Sequence, residues 1–242
     1  MSDPKVALVT GANKGIGLEI ARQLGERGYA VLLGARDEVR GKEAAAALAA
    51  RGLDAAALQL DVTDPASAER AARQAEERFG RLDVLVNNAG ITGDYFGPPS
   101  GATARQLQEV YATNVFGVLT VTNAVLPLLR RSAAGRIVNL SSNVGSLALN
   151  ADLDGEFAAY NQVAYQSSKT ALNALTLAYA KELRETGIKV NSANPGFTAT
   201  DMNGHRGHQS VEQGAVVAVR LAVLGPDGPT GTSQDEHGPV AW

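Results

Sequence analysis

The sequence contains no cysteine. This absence excludes disulfide bonds, thiol nucleophiles and metal sites built from thiolates. A chain without cysteine is compatible with any compartment, and a reducing cytoplasm is the simplest setting for it. We therefore expect a cytoplasmic protein.

Strong charge of one sign is also missing. The 22 Lys and Arg residues against 25 Asp and Glu residues give a formal net charge of −3, without a basic run or tail. The chain therefore lacks the electrostatic footprint of a protein that binds nucleic acid or an anionic membrane. Its N-terminus enters a short apolar run that Gly11 ends, which predicts neither a signal peptide nor a membrane span. We expect no nucleic-acid partner and no membrane partner.

Histidine is scarce and poorly placed for metal or hydrolase chemistry. The three histidines, His205, His208 and His237, lie in Gly-rich surroundings late in the chain. A His205/His208 pair lacks a set of carboxylates or thiolates, so we expect a solvated loop there and no bound metal. Ser142 does not lie in a G-x-S-x-G pattern, so we do not expect it to be a hydrolase nucleophile.

The length of 242 residues predicts one large domain with a full core. Hydrophobic residues make up 45% and charged residues 19%, as in ordinary globular proteins. Short apolar runs alternate with helical patterns along the chain. Strands are predicted at 6–9, 30–35, 57–61, 82–86, 136–140 and 188–194, with a weak last strand at 230–235. Helices are predicted at 18–26, 38–51, 65–79, 104–131, 165–180 and 211–224.

This alternation is typical of an α/β domain. It predicts a doubly wound parallel sheet of about seven strands with helices on both faces. The connections between strands should be right-handed, and ligands should bind at the carboxyl ends of the strands.

A glycine-rich turn separates the first predicted strand from the first helix. It runs Thr10-Gly11-Ala12-Asn13-Lys14-Gly15-Ile16-Gly17. Glycines allow the backbone to approach a phosphate closely, and the following helix N-terminus offers free N–H groups and the positive end of the helix dipole. The pattern favours a dinucleotide phosphate site, and an ordinary tight turn is the alternative.

The end of the second predicted strand indicates which dinucleotide fits. An acidic residue there would accept a hydrogen bond from a free ribose 2′-OH, but the chain has Ala35 and then Arg36. Arg36, with Lys14 as a second cation, suits a 2′-phosphate and favours NADP(H) over NAD(H). A solvated charge at a strand end is the alternative for Arg36.

The third predicted strand ends at Asp61-Val62. We expect this pair to receive the adenine amino group of the dinucleotide. Asp61 could equally cap a helix, as we expect of Asp64 before Pro65.

Tyr165 and Lys169 are four residues apart in YQSSKTALNALTLAYA, a run without Pro or Gly that predicts a helix. Positions i and i+4 share a helix face, so the ammonium should stabilise the phenolate and lower the Tyr165 pKa from about 10. Such a tyrosine can donate or accept a proton. Two unrelated surface side chains are the alternative. Tyr160 has Ala164 four residues on and therefore lacks a lysine.

Several motifs in a fixed order resemble those of the short-chain dehydrogenase/reductase family. They are Thr10-Gly11-x-x-x-Gly15-x-Gly17, Asn87-Asn88-Ala89-Gly90, Asn114, Ser141-Ser142, Tyr165-x-x-x-Lys169 and Pro195-Gly196. The resemblance covers almost the whole chain and implies a single-domain Rossmann-type fold. Within the family, the NADPH-dependent carbonyl reductases are most similar, on Asn13 to Leu18, Ala35-Arg36-Asp37, Pro195-Gly196-Phe197, Thr200-Asp201-Met202 and Trp242.

The resemblance implies hydride transfer between NADP(H) and a carbonyl or alcohol, the substrate being a ketone, aldehyde or quinone. Tyr165 would be the general acid/base, Lys169 would lower its pKa and hold the ribose, and Ser142 would orient the oxygen, with Ser141 as the alternative. Asn114 would anchor a water near Lys169. The predicted cofactor contacts are Gly11, Asn13, Lys14, Gly15, Ile16, Gly17, Arg36, Asp61, Val62, Asn88, Ala89, Gly90, Tyr165, Lys169, Pro195, Gly196, Thr198 and Thr200.

The division of labour and the loops follow from the same resemblance. Residues 1–140 would form the cofactor half and 141–242 the catalytic and substrate half. The polar, Gly-rich stretch 201–209 suits a lid over substrate, with a plain surface loop as the alternative. Residues 147–159 are extra chain relative to compact family members. In carbonyl reductases a much longer insertion at this place covers the surface that other members use to oligomerise, so we expect a monomer. A non-catalytic NADP(H)-binding regulator of the same fold is the alternative function.

Overall fold

One eight-stranded sheet forms the centre of the computed structural model, which describes residues 4–242. Its spatial order is β3-β2-β1-β4-β5-β6-β7-β8, and all neighbours are parallel except the antiparallel pair β7 and β8. The strands are β1 Val6–Thr10, β2 Ala30–Ala35, β3 Ala55–Gln59, β4 Val84–Asn87, β5 Arg136–Leu140, β6 Lys189–Ala193, β7 Ser233–Asp235 and β8 Gly238–Val240. The predicted doubly wound, single-domain α/β fold of Rossmann type is confirmed.

Helices cover both faces of this sheet. They are α1 Gly15–Glu26, α2 Glu38–Ala49, α3 Pro65–Phe79, α4 Ala104–Tyr111, α5 Gly117–Leu129, α6 Leu147–Asn150, α7 Val163–Glu182 and α8 Val211–Ala222. Helices α1, α2 and α8 pack on one face, and α3, α5 and α7 pack on the other. Every residue of β1, β2, β4 and β5 is buried, which explains why these strands are mostly apolar rather than alternating. The buried polar exceptions are Thr10, Asn87, Arg136 and Asn139.

The last edge of the sheet differs from the prediction. The sheet has eight strands rather than about seven, because β7 turns back through a short hairpin to pair with β8. Strand β7 is Ser233-Gln234-Asp235, so its polar sequence reflects a place near the edge rather than in the core. The edge strand β8 has Pro239 at its centre, opposite Gln234.

The long helix predicted at 104–131 is continuous but irregular. A π-helical turn, Ala112–Phe116, joins α4 to α5, and Asn114 lies within it. Such turns widen the helix by one residue and occur often at functional sites. The combined stretch Ala104–Leu129 is long and apolar enough to cross a membrane by length and composition alone, although half of its most apolar window is buried inside the domain.

The extra segment 147–159 begins with the single turn α6 and continues as turns. Its start is attached to the C-terminus of the chain, because Ser146 Oγ donates to the Ala241 carbonyl at 2.7 Å. The Ala148 amide donates in the same way to the Trp242 carbonyl at 2.9 Å. The last residues of the chain therefore lie beside the segment that follows β5.

Asp83 ties the start of β4 to its neighbours from a buried position. Its carboxylate accepts hydrogen bonds from the Val6 amide at 2.8 Å and from Ser132 Oγ at 2.6 Å. Replacing Asp83 by Ala should lower the free energy of unfolding by about 2–4 kcal/mol, since buried donors lose their acceptor. Asp54→Ala, at an exposed ion pair, should change it by less than about 0.5 kcal/mol. Urea titration of both variants tests this, and equal losses would contradict it.

Candidate active site

Most of the predicted site residues lie at the carboxyl ends of β1, β4, β5 and β6 or on the neighbouring helices, whereas Arg36 and Asp61 follow β2 and β3. The glycine-rich turn and the Asn88-Ala89-Gly90 turn are joined by Thr10. Its hydroxyl accepts hydrogen bonds from the backbone amides of Asn88 and Ala89, both at 3.0 Å. Asn88 Nδ2 returns a hydrogen bond to the Thr10 carbonyl at 2.8 Å. These hydrogen bonds therefore join two motifs that are 78 residues apart in the chain.

The start of α1 has the features of an anion site. Among the residues that the structure describes, no side chain caps this helix, and no acidic residue lies in its first turn. Its first N–H groups are therefore free to bind a phosphate. Gly17 allows the close packing below, since a Cβ there would overlap Asn88 Nδ2 and lie 2.6 Å from the Gly11 carbonyl oxygen. The turn from Gly11 to Gly17, including Asn13, Gly15 and Ile16, therefore fits a dinucleotide pyrophosphate.

The two predicted cations, Lys14 and Arg36, differ in their partners. Lys14 Nζ forms an ion pair with Asp201 Oδ2 at 2.6 Å, and both side chains are more than half exposed. Arg36 follows β2 and is exposed, and within residues 4–242 its guanidinium has no ion-pair or hydrogen-bond partner. A 2′-phosphate near β2 would therefore contact Arg36, whose guanidinium is available, and Lys14, which is already paired with Asp201.

Asp61 and Val62 lie just beyond β3, which ends at Gln59, two residues earlier than predicted. Asp61 Oδ1 accepts hydrogen bonds from the Thr63 amide at 2.9 Å and the Thr63 hydroxyl at 2.7 Å, so Asp61 stabilises a local turn and does not cap α3. The helix cap is Asp64, as predicted. Val62 is buried against Gly117 of α5.

Asn114 connects the π-helical turn to two other parts of the site. Its Oδ1 accepts from the Ile91 amide at 2.9 Å, and its Nδ2 donates to the Ile91 carbonyl at 2.8 Å and to Ser168 Oγ at 3.0 Å. The side chain is completely buried. Its amide is therefore engaged with protein groups, and the water expected beside Asn114 stays a prediction.

Tyr165 and Lys169 lie on one face of α7, as their spacing predicts. Lys169 Nζ lies 5.5 Å from the centroid of the Tyr165 ring. The same ammonium donates a hydrogen bond of 2.6 Å to the carbonyl of Leu140, the last residue of β5. Lys169 is only 5% exposed, so this carbonyl is essential compensation for a buried charge.

The pKa of each member of this pair is set mainly by burial. Burial lowers the pKa of Lys169 to about 8. Burial also raises the pKa of Tyr165 well above its ordinary value, the Tyr160 phenol raises it further, and a hydrogen bond with Ser142 acts in the opposite direction. The predicted lowering of the Tyr165 pKa is therefore wrong for this structure, because desolvation of the phenolate is the largest influence on this pKa and raises it.

Ser142 and Ser141 have different surroundings. Ser141 is buried, and its hydroxyl donates to Asn173 Oδ1 at 2.6 Å. Ser142 is half-buried, and its hydroxyl accepts a long hydrogen bond from the Val144 amide at 3.4 Å. Of the two serines, Ser142 is the one whose hydrogen bond affects the pKa of Tyr165. This geometry favours Ser142 over Ser141 as the serine that faces the tyrosine.

The turn at Pro195-Gly196 leads into a compact loop at 197–209. Thr198 is buried, and its hydroxyl donates to the Pro195 carbonyl at 3.1 Å. The loop is closed at its base, where the Ala199 amide donates to the Gln209 carbonyl at 2.8 Å. Thr200 lies against the glycine-rich turn, 3.7 Å from where a Cβ on Gly15 would be. The predicted lid is therefore an ordered loop that reaches the phosphate site.

Two residues near the site were missed by sequence reasoning. Tyr160 was set aside because no lysine follows it at i+4, yet its phenol acts on Tyr165, and burial raises its own pKa to about 12. Asp201 gave no signal as the partner of Lys14, because the two are 187 residues apart. His205 Nε2 contacts Asp201 Oδ1 at 2.9 Å, and the described residues include no cluster able to hold a metal ion.

The chain is similar to known proteins over most of its length. The model of the short chain dehydrogenase family matches residues 5–210. The chain belongs to this family. It is therefore an oxidoreductase of the class that interconverts C=O and CH–OH groups with a nicotinamide cofactor, and it most resembles the carbonyl reductases.

Individual members of the short-chain dehydrogenase family align over nearly the full chain. Short-chain dehydrogenase/reductase 1 of Saponaria officinalis is 37% identical, covering 96% of this chain and 94% of that protein. The (+)-neomenthol dehydrogenase of Arabidopsis thaliana is 38% identical, covering 91% and 92%. The crystal structure of NADPH-bound carbonyl reductase from chicken fatty liver superposes with a TM-score of 0.85 at 30% identity, covering all of both chains.

The lowered pKa of Lys169 predicts a pH dependence of stability. Between pH 8 and its ordinary value of 10.5, the unfolded lysine holds a proton that the folded one has lost, so stability rises with pH. The unfolding free energy of the wild type should rise relative to Lys169→Met by on the order of 2 kcal/mol from pH 8 to pH 10.

Denaturant titrations at three pH values in this window would measure that difference. Lys181→Met, which removes an exposed lysine from the same helix, is the matched control and should remain parallel to the wild type. Parallel curves for wild type and Lys169→Met would contradict the prediction.

Proposed function

We propose that this protein is an NADPH-dependent reductase that transfers a hydride to the carbonyl carbon of a ketone, aldehyde or quinone. The observation that carries the proposal is that Tyr165 lies one helix turn from the buried ammonium of Lys169, with Nζ 5.5 Å from its ring centroid, while its phenol shares a hydrogen bond with Ser142. A phenol so placed can give a proton to a carbonyl oxygen while a hydroxyl and a cation stabilise the charge that develops there.

The cofactor-binding residues of this proposal line the carboxyl edge of the sheet. When bound, NADPH supplies the hydride. The uncapped start of α1 would bind the pyrophosphate, Arg36 and Lys14 the 2′-phosphate, and Asp61-Val62 the adenine. The remaining contacts are assigned to Asn88, Ala89, Gly90, Lys169, Pro195, Gly196, Thr198 and Thr200. Residues 1–140 thus provide most cofactor contacts, and 141–242 provide the catalytic pair.

The raised pKa of Tyr165 suits the reductive direction. At neutral pH the phenol keeps its proton, so it is available as a general acid when the alkoxide forms. Lys169, with a pKa of about 8, is mostly protonated at neutral pH and stabilises the phenolate left behind. Proton supply to Lys169 is assigned to water held by the π-helical turn that contains Asn114.

The predicted general acid can be removed without changing the fold. Tyr165→Phe should lower kcat for carbonyl reduction by roughly two to four orders of magnitude while leaving the Kd for NADPH nearly unchanged. Oxidation of NADPH followed at 340 nm with a panel of quinones, aromatic ketones, aldehydes and β-keto esters measures this.

Tyr179→Phe is the matched control, because Tyr179 is also a buried tyrosine of α7 but donates to Asn123 Oδ1 at 2.7 Å, away from the site. It should retain normal turnover. Equal turnover in Tyr165→Phe and the wild type would refute the assignment. Tight NADPH binding without turnover on any carbonyl would favour a non-catalytic regulator instead.

Cofactor selectivity should depend more on Arg36 than on Lys14. Arg36→Ser should raise the Kd for NADPH by about 10- to 100-fold, the range of a lost charge-assisted phosphate contact, and change the Kd for NADH by less than about twofold. Lys14→Met should have a smaller effect, since Lys14 already pairs with Asp201. Fluorescence titration of both cofactors measures the four constants.

Arg40→Ser is the control for surface charge, since Arg40 lies on α2 and pairs with Asp37 at 3.6 Å. If Arg36→Ser weakened the binding of NADPH and NADH equally, the 2′-phosphate assignment would be wrong.

A monomeric state and a cytoplasmic location stay predictions of the sequence.

A further inference from the structure

A continuous line of buried polar side chains runs beneath the active site. It crosses from β4 through β5 and α7 to β6, in a layer where apolar residues would be expected. Asn87 Nδ2 donates to Asn139 Oδ1 at 2.9 Å, Asn139 Nδ2 donates to Thr176 Oγ1 at 2.9 Å, and Thr176 Oγ1 lies 3.0 Å from Ser192 Oγ. Each of these side chains is at most 3% exposed. The line ends at Asn173.

Asn173 uses both ends of its amide to hold backbone and side chains near Ser142. Its Oδ1 accepts from Ser141 Oγ at 2.6 Å and from Ser192 Oγ at 3.2 Å. Its Nδ2 donates to the carbonyl of Gly145 at 3.3 Å. Asn173 therefore contacts the residues on both sides of Ser142 without contacting Ser142 itself.

Gly145 has two further contacts with α7. Thr170 Oγ1 donates a second hydrogen bond to the same Gly145 carbonyl, at 2.8 Å. The backbone of Gly145 also presses on α7, because a Cβ at this position would lie 2.6 Å from the Lys169 Cβ and 2.8 Å from the Lys169 carbonyl carbon. The segment 141–145 is thus fixed to the helix turn that carries Lys169.

Apart from its hydrogen bond with Tyr165, the Ser142 hydroxyl has only a weak contact of its own. It accepts a 3.4 Å hydrogen bond from the Val144 amide, at the long end of the range, and the residue is half-buried. The Ser142 carbonyl accepts a 2.9 Å hydrogen bond from the Gly145 amide, so a shift of Gly145 would move Ser142 as well. The position of the Ser142 hydroxyl relative to Tyr165 and Lys169 therefore depends on the attachment of Ser141 and Gly145 to α7. Buried, fully paired polar networks are rigid, and a shift of about 1 Å in a reacting group can lower a rate by about 100-fold.

We propose that Thr170 and Asn173 are positioning residues that align the Ser142 hydroxyl with Tyr165 by holding the Gly145 carbonyl and the Ser141 hydroxyl on α7. The inference rests on the proposed reductase function. It assigns these two residues no contact with substrate or cofactor, so their effect passes through Ser142.

A thiol introduced at position 142 reports this alignment without any turnover. Because the chain has no cysteine, Ser142→Cys would carry a single thiol, whose reaction rate with a disulfide reagent depends on its exposure and local mobility. Adding Thr170→Val or Asn173→Ala to Ser142→Cys should raise the labelling rate by about 5- to 20-fold, since the segment loosens. Thr170→Ser keeps the hydroxyl and should leave the rate within about twofold.

Thr176→Val is the matched control for this labelling. Thr176 is buried in the same helix and the same polar line, but its hydrogen bonds go to Asn139, Ser192 and the Leu172 carbonyl rather than to 141–145. It should lower stability in urea yet leave the labelling rate unchanged. Equal acceleration by Thr176→Val and Thr170→Val would show general loosening and overturn the proposal.

Measurements of turnover provide a second, separate test of the proposal. Thr170→Val should lower kcat by about 3- to 10-fold and Asn173→Ala by about 10- to 100-fold, with the Kd for NADPH unchanged. In a Ser142→Ala background the same changes should have less than about twofold effect, because the group they align is gone. If Thr170→Val and Asn173→Ala lowered kcat in the Ser142→Ala background by the same factors as in the wild type, the proposal would be overturned. A wild type inactive on every carbonyl would instead refute the reductase function, and the labelling result would stand by itself.

Discussion

The site depends on one buried charge. Lys169 carries its ammonium into a position with almost no exposure, and the carbonyl of Leu140 is the group that receives it. A buried cation requires such a partner, so α7 must lie against the carboxyl end of β5 in one register. That register also fixes Tyr165, one turn earlier on the helix, where its phenol shares a hydrogen bond with Ser142. The hydrogen bond between Lys169 and Leu140 therefore fixes the position of α7 on β5, and with it the position of Tyr165.

At the proposed phosphate site, the backbone and the side chains would have different tasks. The N–H groups at the start of α1 have no side-chain cap, and in the proposed function they would bind the pyrophosphate. Arg36 and Lys14 are both exposed, and they would distinguish NADP(H) from NAD(H). Lys14 is paired with Asp201 in the loop after β6, so the proposal links cofactor recognition to the position of that loop.

The elements that the sequence predicted well are those fixed by local chemistry. Buried strands such as β1 and β2 are mostly apolar runs, and Tyr165 and Lys169 share a helix face because of their spacing alone. What could not be predicted depends on distant contacts. The direction of the Tyr165 pKa follows from how much protein surrounds the phenol, and the partner of Lys14 comes from 187 residues away. The π-helical turn at Asn114 likewise depends on the Ile91 backbone, which no local pattern reveals.

The hairpin that ends the sheet has a consequence for association between chains. An exposed edge strand offers unpaired N–H and C=O groups on which another chain can add a strand. Strand β8 has only three residues, and Pro239 at its centre has no N–H to offer. The outer edge of the sheet beyond β7 therefore offers few groups for the addition of another strand.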